Sequence, residues 1–447
     1  MIEKAISDFK CIVDNFEEDC ADRGIELHSS NELPFVEGGS FLPLYTVDRP
    51  ANICPKSSYF MTSEYGCIGD YSYRPARLSP VFKDGEWVYP MCNAVKPYSS
   101  PLLHYEQPWL KQAVYIAMQP LFKVTANRDR RVYSFEEAVK GVAEEKFRSI
   151  PRATSAGYPY VLDHKNGKKD FFGEGVEYDL TGSDCAELEM RTKKINWAAE
   201  NGKRLAHIFL DFMKDELRSP EKVEAVATRL ISAAPLDYTV SFRQYFAAIS
   251  AAAMSVPIKC GMAPGINCFG DWDALGTKLQ SMGPDVFDGD FKAFDSSEQP
   301  CIHDLILDEI NRWYDDGPKN AMARKVLWLE LTHSRHIGGR GFDQKNIYQW
   351  NKSLPSGHPF TTIVNSIYSL VLLVGAYIQR TGDWSGFWDN VSAVTYGDDN
   401  VVNVSPEYIQ VYNQATVSET LAEQFQVKYT PGNKSTEFQT DMRLEDV

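Results

Sequence analysis

Two adjacent carboxylates follow a glycine in the segment Tyr396-Gly397-Asp398-Asp399. Runs rich in β-branched residues flank it, Val391 to Thr395 before it and Asn400 to Val404 after it. This pattern predicts a β-hairpin with the acids at its tip. A polar turn is the simpler interpretation, because Gly and Asp are ordinary turn residues. Crowded carboxylates are also what a divalent cation requires, so the motif predicts a metal site if a second acidic element accompanies it.

A second acidic element begins with the apolar run Val286-Phe287 and places carboxylates at Asp290 and Asp295. Asp290 is predicted at a strand end, and Asp295 on the first turn of a helix that His303 to Tyr314 continues. For Asp295 alone, a helix N-terminal acid favoured by the dipole is the simpler interpretation. If the strand ending at Asp290 lies beside the hairpin, the acids can bridge two Mg²⁺ ions roughly 3.5–4 Å apart. That arrangement activates an attacking hydroxyl and stabilises a leaving pyrophosphate.

A polar turn and helix lie between the two acidic elements. Ser356-Gly357 leads into a predicted helix on which Thr361 and Asn365 share one face at i and i+4. Two short polar side chains on one face could read a ribose by hydrogen bonding. The alternative is a capped core helix whose Thr and Asn bond to the backbone.

Cations and a small-residue loop precede these motifs. The segment 203–229 interleaves acids with the cations Lys214, Arg218, Lys222 and Arg229. A solvated, salt-bridged face is the simpler interpretation, but Pro220 favours a structured turn that carries cations, and a triphosphate needs such cations. The loop from Arg152 to Tyr160 is rich in small residues, so its backbone N–H groups could approach a phosphate, although for this segment alone a plain surface loop is the simpler interpretation.

Composition limits the class of protein. With 447 residues the chain should form two or more subdomains or one large interleaved domain, and 43% apolar and 24% charged residues are typical of a soluble globular protein. The apolar run from Ile367 to Ile378 is predicted to be too short to span a membrane. A net charge of −15 argues against a nonspecific nucleic-acid binder but not against a local basic channel. Nine cysteines without a CxxC pair indicate packed thiols rather than a zinc site.

Two helices are predicted upstream of the acidic motifs. One runs from Pro108 to Phe122, and the other from Ser134 to Phe147, where Ser134 and Glu137 form a capping box.

In their order along the chain, these motifs resemble those of the RNA-dependent RNA polymerases of picornavirus-like positive-strand RNA viruses, of picornavirus, iflavirus or dicistrovirus type. The resemblance spans about Arg152 to Phe438. It matches motif G at 154–159, motif F at 214–231, motif A at 290–295, motif B at 356–365, motif C at 398–399 and motif D at 430–435.

The resemblance implies a role for each residue. The metal ligands would be Asp290, Asp398 and Asp399, with Asp398 the principal one, and Lys434 would protonate the pyrophosphate leaving group. Asp295 would sense the ribose 2′-hydroxyl. The residues implied to contact NTP or RNA are Lys214, Arg218, Lys222 and Arg229 in the NTP channel, Ser356, Gly357, Thr361 and Asn365 at the sugar and template, and Thr154, Ser155 and Gly157 along the template.

The implied fold is an α+β right-hand polymerase with an antiparallel palm sheet flanked by helices. Fingers, with an N-terminal bridge and motifs G and F, are expected over residues 1–245, and palm with motif A over 246–330. A fingers return segment is expected over 331–355, and palm with motifs B, C and D over 356–447. Because Val447 comes where motif E and the thumb should begin, we expect the thumb to be largely or wholly absent from this chain.

The implied function is replication of a viral positive-strand RNA genome by two-metal nucleotidyl transfer from NTPs, with two Mg²⁺ ions or with Mn²⁺. The implied partners are RNA template and primer, NTPs, a viral protein primer and other replication proteins, but no DNA. The implied location is the host cytoplasm at viral replication complexes, with membrane contact only through such a complex. The alternatives are a reverse transcriptase, which polar Asp295 and Asn365 disfavour, and a noncatalytic RNA-binding fragment if the chain is truncated.

Overall fold

The computed structural model describes residues 12–30, 41–52, 57–59, 72–103, 107–339, 343–433, 435, 437–438 and 442–447. The chain divides into two compact units, and each is discontinuous in sequence. Unit 1 comprises residues 1–102, 151–241 and 325–359, and unit 2 comprises residues 103–150, 242–324 and 360–447. The domain boundaries expected at 245, 330 and 355 lie near unit boundaries at 241, 324 and 359. Residues 103–150 cluster with unit 2.

The α-helices of the described residues are, in chain order, α1 (Phe16–Asp22), α2 (Pro90–Val95), α3 (Pro108–Val124), α4 (Phe135–Lys140), α5 (Lys169–Phe172), α6 (Ser183–Glu200), α7 (Pro220–Glu224), α8 (Leu236–Ser255), α9 (Trp272–Lys278), α10 (Phe294–Ser297), α11 (Pro300–Tyr314), α12 (Pro318–Thr332), α13 (Thr361–Thr381), α14 (Phe387–Asn390) and α15 (Gln414–Phe425). Short 3₁₀ turns occupy Lys96–Ser99, Ala143–Glu145, Tyr160–Leu162 and Leu444–Asp446.

The β-strands are β1 (Val13–Asp14), β2 (Leu27–Ser29), β3 (Phe41–Asn52), β4 (Arg74–Pro75), β5 (Val81–Lys83), β6 (Glu86–Val88), β7 (Lys203–Arg204), β8 (Ile208–Met213), β9 (Leu217–Arg218), β10 (Leu230–Ala233), β11 (Asp285–Phe291), β12 (Arg335–Gly338), β13 (Asp343–Trp350), β14 (Val391–Tyr396), β15 (Asp399–Val404) and β16 (Tyr429–Thr430).

Unit 1 is built on a six-stranded sheet in the order β10-β8-β12-β13-β3-β2. The pair β8 and β12 is parallel, and the other neighbours are antiparallel. Ile208, Leu210, Ile337 and Ile347 on these strands form part of its buried core. This sheet holds β10 at one edge, and β10 begins directly after Arg229.

Unit 2 is built on a four-stranded antiparallel sheet in the order β14-β15-β11-β16. Helix α13 packs against β14 and against the helices α3 and α15. The packing of α3 on α13 explains why residues 103–150 cluster with this unit. Helix α13 is long and apolar enough to cross a membrane, but 89% of its most apolar stretch is buried inside the protein. It is therefore a core helix, and its 21 residues extend the apolar run that the sequence indicated.

The predicted helix from Ser134 to Phe147 is wrong in its length. The capping box of Ser134 and Glu137 is present, but α4 ends at Lys140. Gly141 then adopts a φ of 78°, a left-handed region that favours glycine, and Val142 pairs with Phe147 in a β-bridge. The helix therefore ends where the chain turns back on itself.

Candidate active site

The hairpin predicted around the paired acids is confirmed. Strands β14 and β15 pair from Val391 with Val404 to Tyr396 with Asp399, which leaves Gly397 and Asp398 as a two-residue turn. Gly397 has a φ of 65°, and hairpins with a glycine of positive φ at the first turn position match the twist of their strands. The turn therefore presents two successive carboxylates at one end of the sheet of unit 2.

Asp290 lies at the same end of this sheet. Strand β11 pairs with β15 as far as Gly289 with Asn400, so the register continued by one position sets Asp290 opposite Asp399. Asp290 and Asp398 are half-buried, and Asp399 is exposed. The backbones of the three predicted metal ligands thus lie on adjacent strands and their connecting turn, at the same end of the sheet.

Asp295 and Asn365 form a direct hydrogen bond. Asp295 lies on α10, Asn365 lies on α13, and Asn365 Nδ2 donates to Asp295 Oδ1 over 2.8 Å. Asn365 is buried, and its Oδ1 accepts no hydrogen bond from the described residues. A buried acceptor without a donor is costly, so this oxygen is suited to a ligand hydroxyl. Thr361 lies one turn earlier on α13 and is half-buried.

Ser366, the next residue of α13, connects the helix to the acidic turn. Its Oγ accepts a hydrogen bond from the Gly397 N–H at 2.9 Å, and its carbonyl oxygen accepts one from Thr395 Oγ1 at 2.9 Å. Helix α13 therefore carries Asn365 and also fixes the turn that carries Asp398. Ser366 was not predicted as a site residue, because a serine within an apolar helix is typical of a backbone-bonded core residue.

A fully buried glutamate lies near the acidic turn. Glu298 is fully buried and shares a hydrogen bond of 2.7 Å with His303 Nε2. Burial raises the pKa of Glu298 well above its usual value, and the negative charge of Asp398 raises it further. Burial lowers the pKa of His303 to about 4. Glu298 and His303 thus form a fully buried polar pair near Asp398.

In unit 1, one buried carboxylate organises three of the predicted cations. Glu216 lies 3.6 Å from Lys214 Nζ, 3.4 Å from Arg218 Nη1 and 2.7 Å from Arg229 Nε. Burial by itself would raise the pKa of Glu216, but the hydrogen bond to Arg229 and the three positive charges hold this pKa below its usual value. Lys222 is exposed on α7, which Pro220 begins at its first position instead of forming a turn. In the sequence, Glu216 is only one of the acids that alternate with the cations of segment 203–229, and its role in holding three of them was not predicted.

The loop of motif B is attached to strand β10 within unit 1. Ser356 Oγ donates to the Leu230 carbonyl at 3.1 Å, and Gly357 forms a parallel bridge with Ala233. A Cβ on Gly357 would lie 2.2 Å from the Ser232 carbonyl oxygen, so this close approach requires glycine. The residue preceding β10 is Arg229, and these contacts therefore set the motif B loop beside the end of motif F.

The motif G loop is attached just beyond the same strand. The Ala156 carbonyl accepts the Leu236 N–H at 3.0 Å. Ser155 Oγ accepts the Gly157 N–H at 3.1 Å, while Thr154 Oγ1 accepts a hydrogen bond from Lys168 Nζ at 2.7 Å. Thr154 and Ser155 are exposed, so the loop offers polar groups to solvent on a fixed backbone.

The predicted site residues therefore form two groups, one in each unit. Unit 2 holds Asp290, Asp295, Thr361, Asn365, Asp398 and Asp399, and unit 1 holds Thr154, Ser155, Gly157, Lys214, Arg218, Lys222, Arg229, Ser356 and Gly357. Lys434, the predicted general acid, lies outside the described residues.

A hydrogen-bonded serine, histidine and aspartate also occur in unit 1. His336 Nε2 lies 2.7 Å from Ser334 Oγ, and His336 Nδ1 lies 2.9 Å from Asp211 Oδ1. Tyr348 donates its hydroxyl to the same aspartate. All four side chains are fully buried, so no substrate can reach the serine. This set is a polar network of the core and not a hydrolase site.

Comparison with known proteins identifies the family. The family model described as "Viral RNA-dependent RNA polymerase" matches residues 68–447. The chain is 32% identical over 87% of its length to the replicase polyprotein of Acute bee paralysis virus (strain Rothamsted). It is 31% identical over 85% of its length to the replicase polyprotein of Cricket paralysis virus. It is 30% identical over 92% of its length to the replicase polyprotein of Drosophila C virus (strain EB). The chain spans only 21%, 23% and 24% of these three relatives.

A solved structure shows the same fold. The chain aligns with "Sicinivirus 3Dpol RNA dependent RNA polymerase" at a TM-score of 0.73 and 22% identity, over 94% of this chain and 80% of that chain. The predicted α+β right-hand polymerase fold is thereby confirmed. Because the family match covers most of the sequence, the chain belongs to the viral RNA-dependent RNA polymerases, as the resemblance of its motifs predicted.

Proposed function

We propose that this chain carries the catalytic centre of an RNA-dependent RNA polymerase that replicates a viral positive-strand RNA genome. The observation that carries the proposal is the register of β11 with β15, which brings Asp290 to the acidic turn of Asp398 and Asp399. Two-metal nucleotidyl transfer needs carboxylates from separate segments at one point.

The acids fit a pair of divalent cations. Their oxygens are the ligands that Mg²⁺ prefers, and successive carboxylates at the end of the hairpin repel one another unless a cation neutralises them. Asp290, Asp398 and Asp399 would hold two Mg²⁺ ions, or Mn²⁺ in their place. When bound, the ions supply activation of the primer 3′-hydroxyl and neutralisation of the leaving pyrophosphate.

The remaining residues bind and orient the substrates. Asn365 Oδ1 would accept a hydrogen bond from the ribose 2′-hydroxyl while Asp295 holds the amide in place. The cations around Glu216 would bind the NTP triphosphate, with Lys222 beside them. Ser356 and Gly357, with Thr154, Ser155 and Gly157, would guide the template. Lys434 would donate a proton to pyrophosphate.

The proposal extends to partners and location. The substrates are a primed RNA template and NTPs, and a viral protein primer and other replication proteins are the proposed partners. Synthesis would take place in the host cytoplasm at viral replication complexes. If Asn365 accepts a hydrogen bond from the ribose 2′-hydroxyl, NTP binds better than dNTP, which lacks this group. A reverse transcriptase is therefore the less favoured function.

The test is nucleotide incorporation on a primed RNA template by the polymerase protein that carries this chain. Asp398→Asn removes one charge at nearly constant volume, and we expect it to lower incorporation by at least about a hundredfold. RNA binding measured by filter retention should persist. The matched control is Asp389→Asn, which changes an exposed acid on α14 and should keep wild-type activity.

Three outcomes would overturn the proposal. Incorporation by Asp398→Asn at the wild-type rate would exclude the acidic turn as the catalytic centre. A preference of the wild-type protein for dNTP would indicate a reverse transcriptase. RNA binding without any incorporation by the wild-type protein would indicate a noncatalytic scaffold.

A further inference from the structure

One side chain links the two acid-bearing segments of unit 2. Asn400 Nδ2 donates to the carbonyl oxygen of Gly289 at 3.0 Å and to that of Asp398 at 3.1 Å. Gly289 directly precedes Asp290, and Asp398 is in the hairpin turn. Asn400 is 4% exposed, so these bonds form away from competing water. A single amide therefore sets the separation of the two peptide segments that carry the proposed metal ligands.

Tyr429 fixes the orientation of that amide. Its hydroxyl donates to Asn400 Oδ1 over 2.7 Å from the edge strand β16. An asparagine amide has one acceptor oxygen and one NH₂ group, so this bond turns the NH₂ toward the two carbonyls. Burial raises the pKa of Tyr429 well above its usual value, with further contributions from Tyr412, Asp288 and Asp290. The hydroxyl therefore remains a donor.

Gly289 is the residue that makes this arrangement possible. A Cβ at position 289 would lie 1.9 Å from Cζ of Tyr429, well inside van der Waals contact. The tyrosine ring can cross β11 at this level only because position 289 has no side chain. Gly289, Asn400 and Tyr429 thus form one set, which we call the Asn400 bridge, and each member depends on the other two.

We propose that Asn400 and Tyr429 are positioning residues that hold the backbones of Asp290 and Asp398 at the separation that divalent cations require. This inference rests on the proposed function. Without the bridge, the mutual repulsion of the carboxylates favours spreading of the strand ends before a cation binds. When the bridge is present, the two backbone segments are already ordered before a cation binds. The free-energy cost of ordering them on binding is therefore smaller.

The test measures binding of Mn²⁺ alone, from the electron paramagnetic resonance signal of the free ion, together with single-nucleotide incorporation. Tyr429→Phe removes only a hydroxyl, and Asn400→Leu replaces the amide at similar volume. Loss of a residue that orients metal ligands typically costs roughly tenfold to a hundredfold in affinity or activity. We expect Asn400→Leu to weaken Mn²⁺ binding and lower kcat within that range. Tyr429→Phe should weaken Mn²⁺ binding and lower kcat by about threefold to tenfold. In both variants the KM for NTP should stay nearly constant.

The control is Tyr412→Phe. Tyr412 is equally buried in unit 2, and its hydroxyl donates to the Leu373 carbonyl at 3.0 Å, which is part of α13. This variant should lower the Tm about as much as Tyr429→Phe but leave Mn²⁺ affinity and kcat unchanged. In the double variant, Tyr429→Phe should add little to Asn400→Leu, because both remove the same bridge.

Two results would overturn the inference. One is a fall in Tm for Tyr429→Phe and Asn400→Leu with Mn²⁺ affinity and kcat at wild-type values, since the bridge would then only stabilise the fold. The other is additivity of the two substitutions in Mn²⁺ binding. Failure of the proposed function is distinguishable, because the wild-type protein would then not incorporate nucleotides, while weaker Mn²⁺ binding by Tyr429→Phe would still support the bridge.

Discussion

Asp295 and Asn365 are 70 positions apart in the sequence and share a hydrogen bond of 2.8 Å. Their pairing leaves one buried amide oxygen without a donor from the described residues. Both residues were predicted as site residues from motif and helix spacing. Ser366, Asn400 and Tyr429 were not, because nothing in the local pattern separates a polar side chain that orients a catalytic group from one that bonds within the core.

Asn365→Ala should reduce the discrimination between NTP and dNTP. Without the amide, the ribose 2′-hydroxyl would lose its proposed acceptor, and Asp295 would lose the hydrogen bond from Asn365. Loss of a buried hydrogen bond to a substrate costs about 1–3 kcal/mol, so the ratio of kcat/KM for ATP over dATP should fall roughly tenfold to a hundredfold.

Single-nucleotide incorporation with each substrate measures that ratio. The control is Asn390→Ala, which removes a part-buried amide of the same unit that bonds to Gly386 and Tyr377. An unchanged ratio in Asn365→Ala would show that Asn365 does not read the sugar.

At the scale of elements, the hairpin and the core helix were predictable because their signals are local. Alternating β-branched residues around a Gly-Asp turn predict β14 and β15, and the Ser-Gly turn followed by Thr361 and Asn365 at i and i+4 predicts α13. The predicted helix from Ser134 failed for an equally local reason, a glycine at 141 that turns the chain. The attachment of the motif B and G loops near β10 was not predictable, since it depends on close backbone approach between distant segments.

Gly357→Ala should detach the motif B loop from β10. The added Cβ would overlap the Ser232 carbonyl, and overpacking of this kind typically costs about 1–3 kcal/mol. We expect a lower free energy of unfolding in urea and slower primer extension. The control is Gly175→Ala in the same unit, where the nearest atom lies 3.9 Å from the added Cβ. Wild-type stability and extension rate in Gly357→Ala would show that the contact with β10 is dispensable.

At the scale of the whole molecule, each unit keeps polar groups in its core in a defined charge state. Burial lowers the pKa of His207 in unit 1 and of His303 in unit 2 to about 4. In unit 1, burial alone would raise the pKa of Asp237, but the charges of Arg23 and Arg191 hold it below its usual value. These groups couple the stability of the protein to pH.

Stability should therefore fall as the pH is lowered from 6.5 toward 4. In that range the unfolded chain protonates its histidines while folded His207 and His303 stay neutral, so acid favours unfolding by on the order of 2 kcal/mol per histidine at pH 5. Below about pH 4 the free energy of unfolding should fall further, because Asp237 becomes protonated in the unfolded chain. Ionised Asp237 stabilises the folded state only above that range.

Urea unfolding at pH 7.5, 6 and 5 checks this dependence. His207→Gln should flatten it, since glutamine does not titrate. Equal free energies of unfolding at pH 7.5 and pH 5 in the wild-type protein would contradict the buried neutral state of these histidines.

The sequence by itself determined the acidic turn, the second acidic strand, the helix that carries Thr361 and Asn365, and the family, because each depends on residue types at short, regular spacing. Only the tertiary structure decided that Glu216 gathers the cations, that residues 103–150 belong to unit 2 and that Asn400 joins Gly289 to Asp398. These contacts join residues far apart in the chain and depend on side-chain orientation within a packed core. The local spacing of residues does not determine which distant segments meet or how their side chains are oriented. Strand register and helix packing determine both of these features.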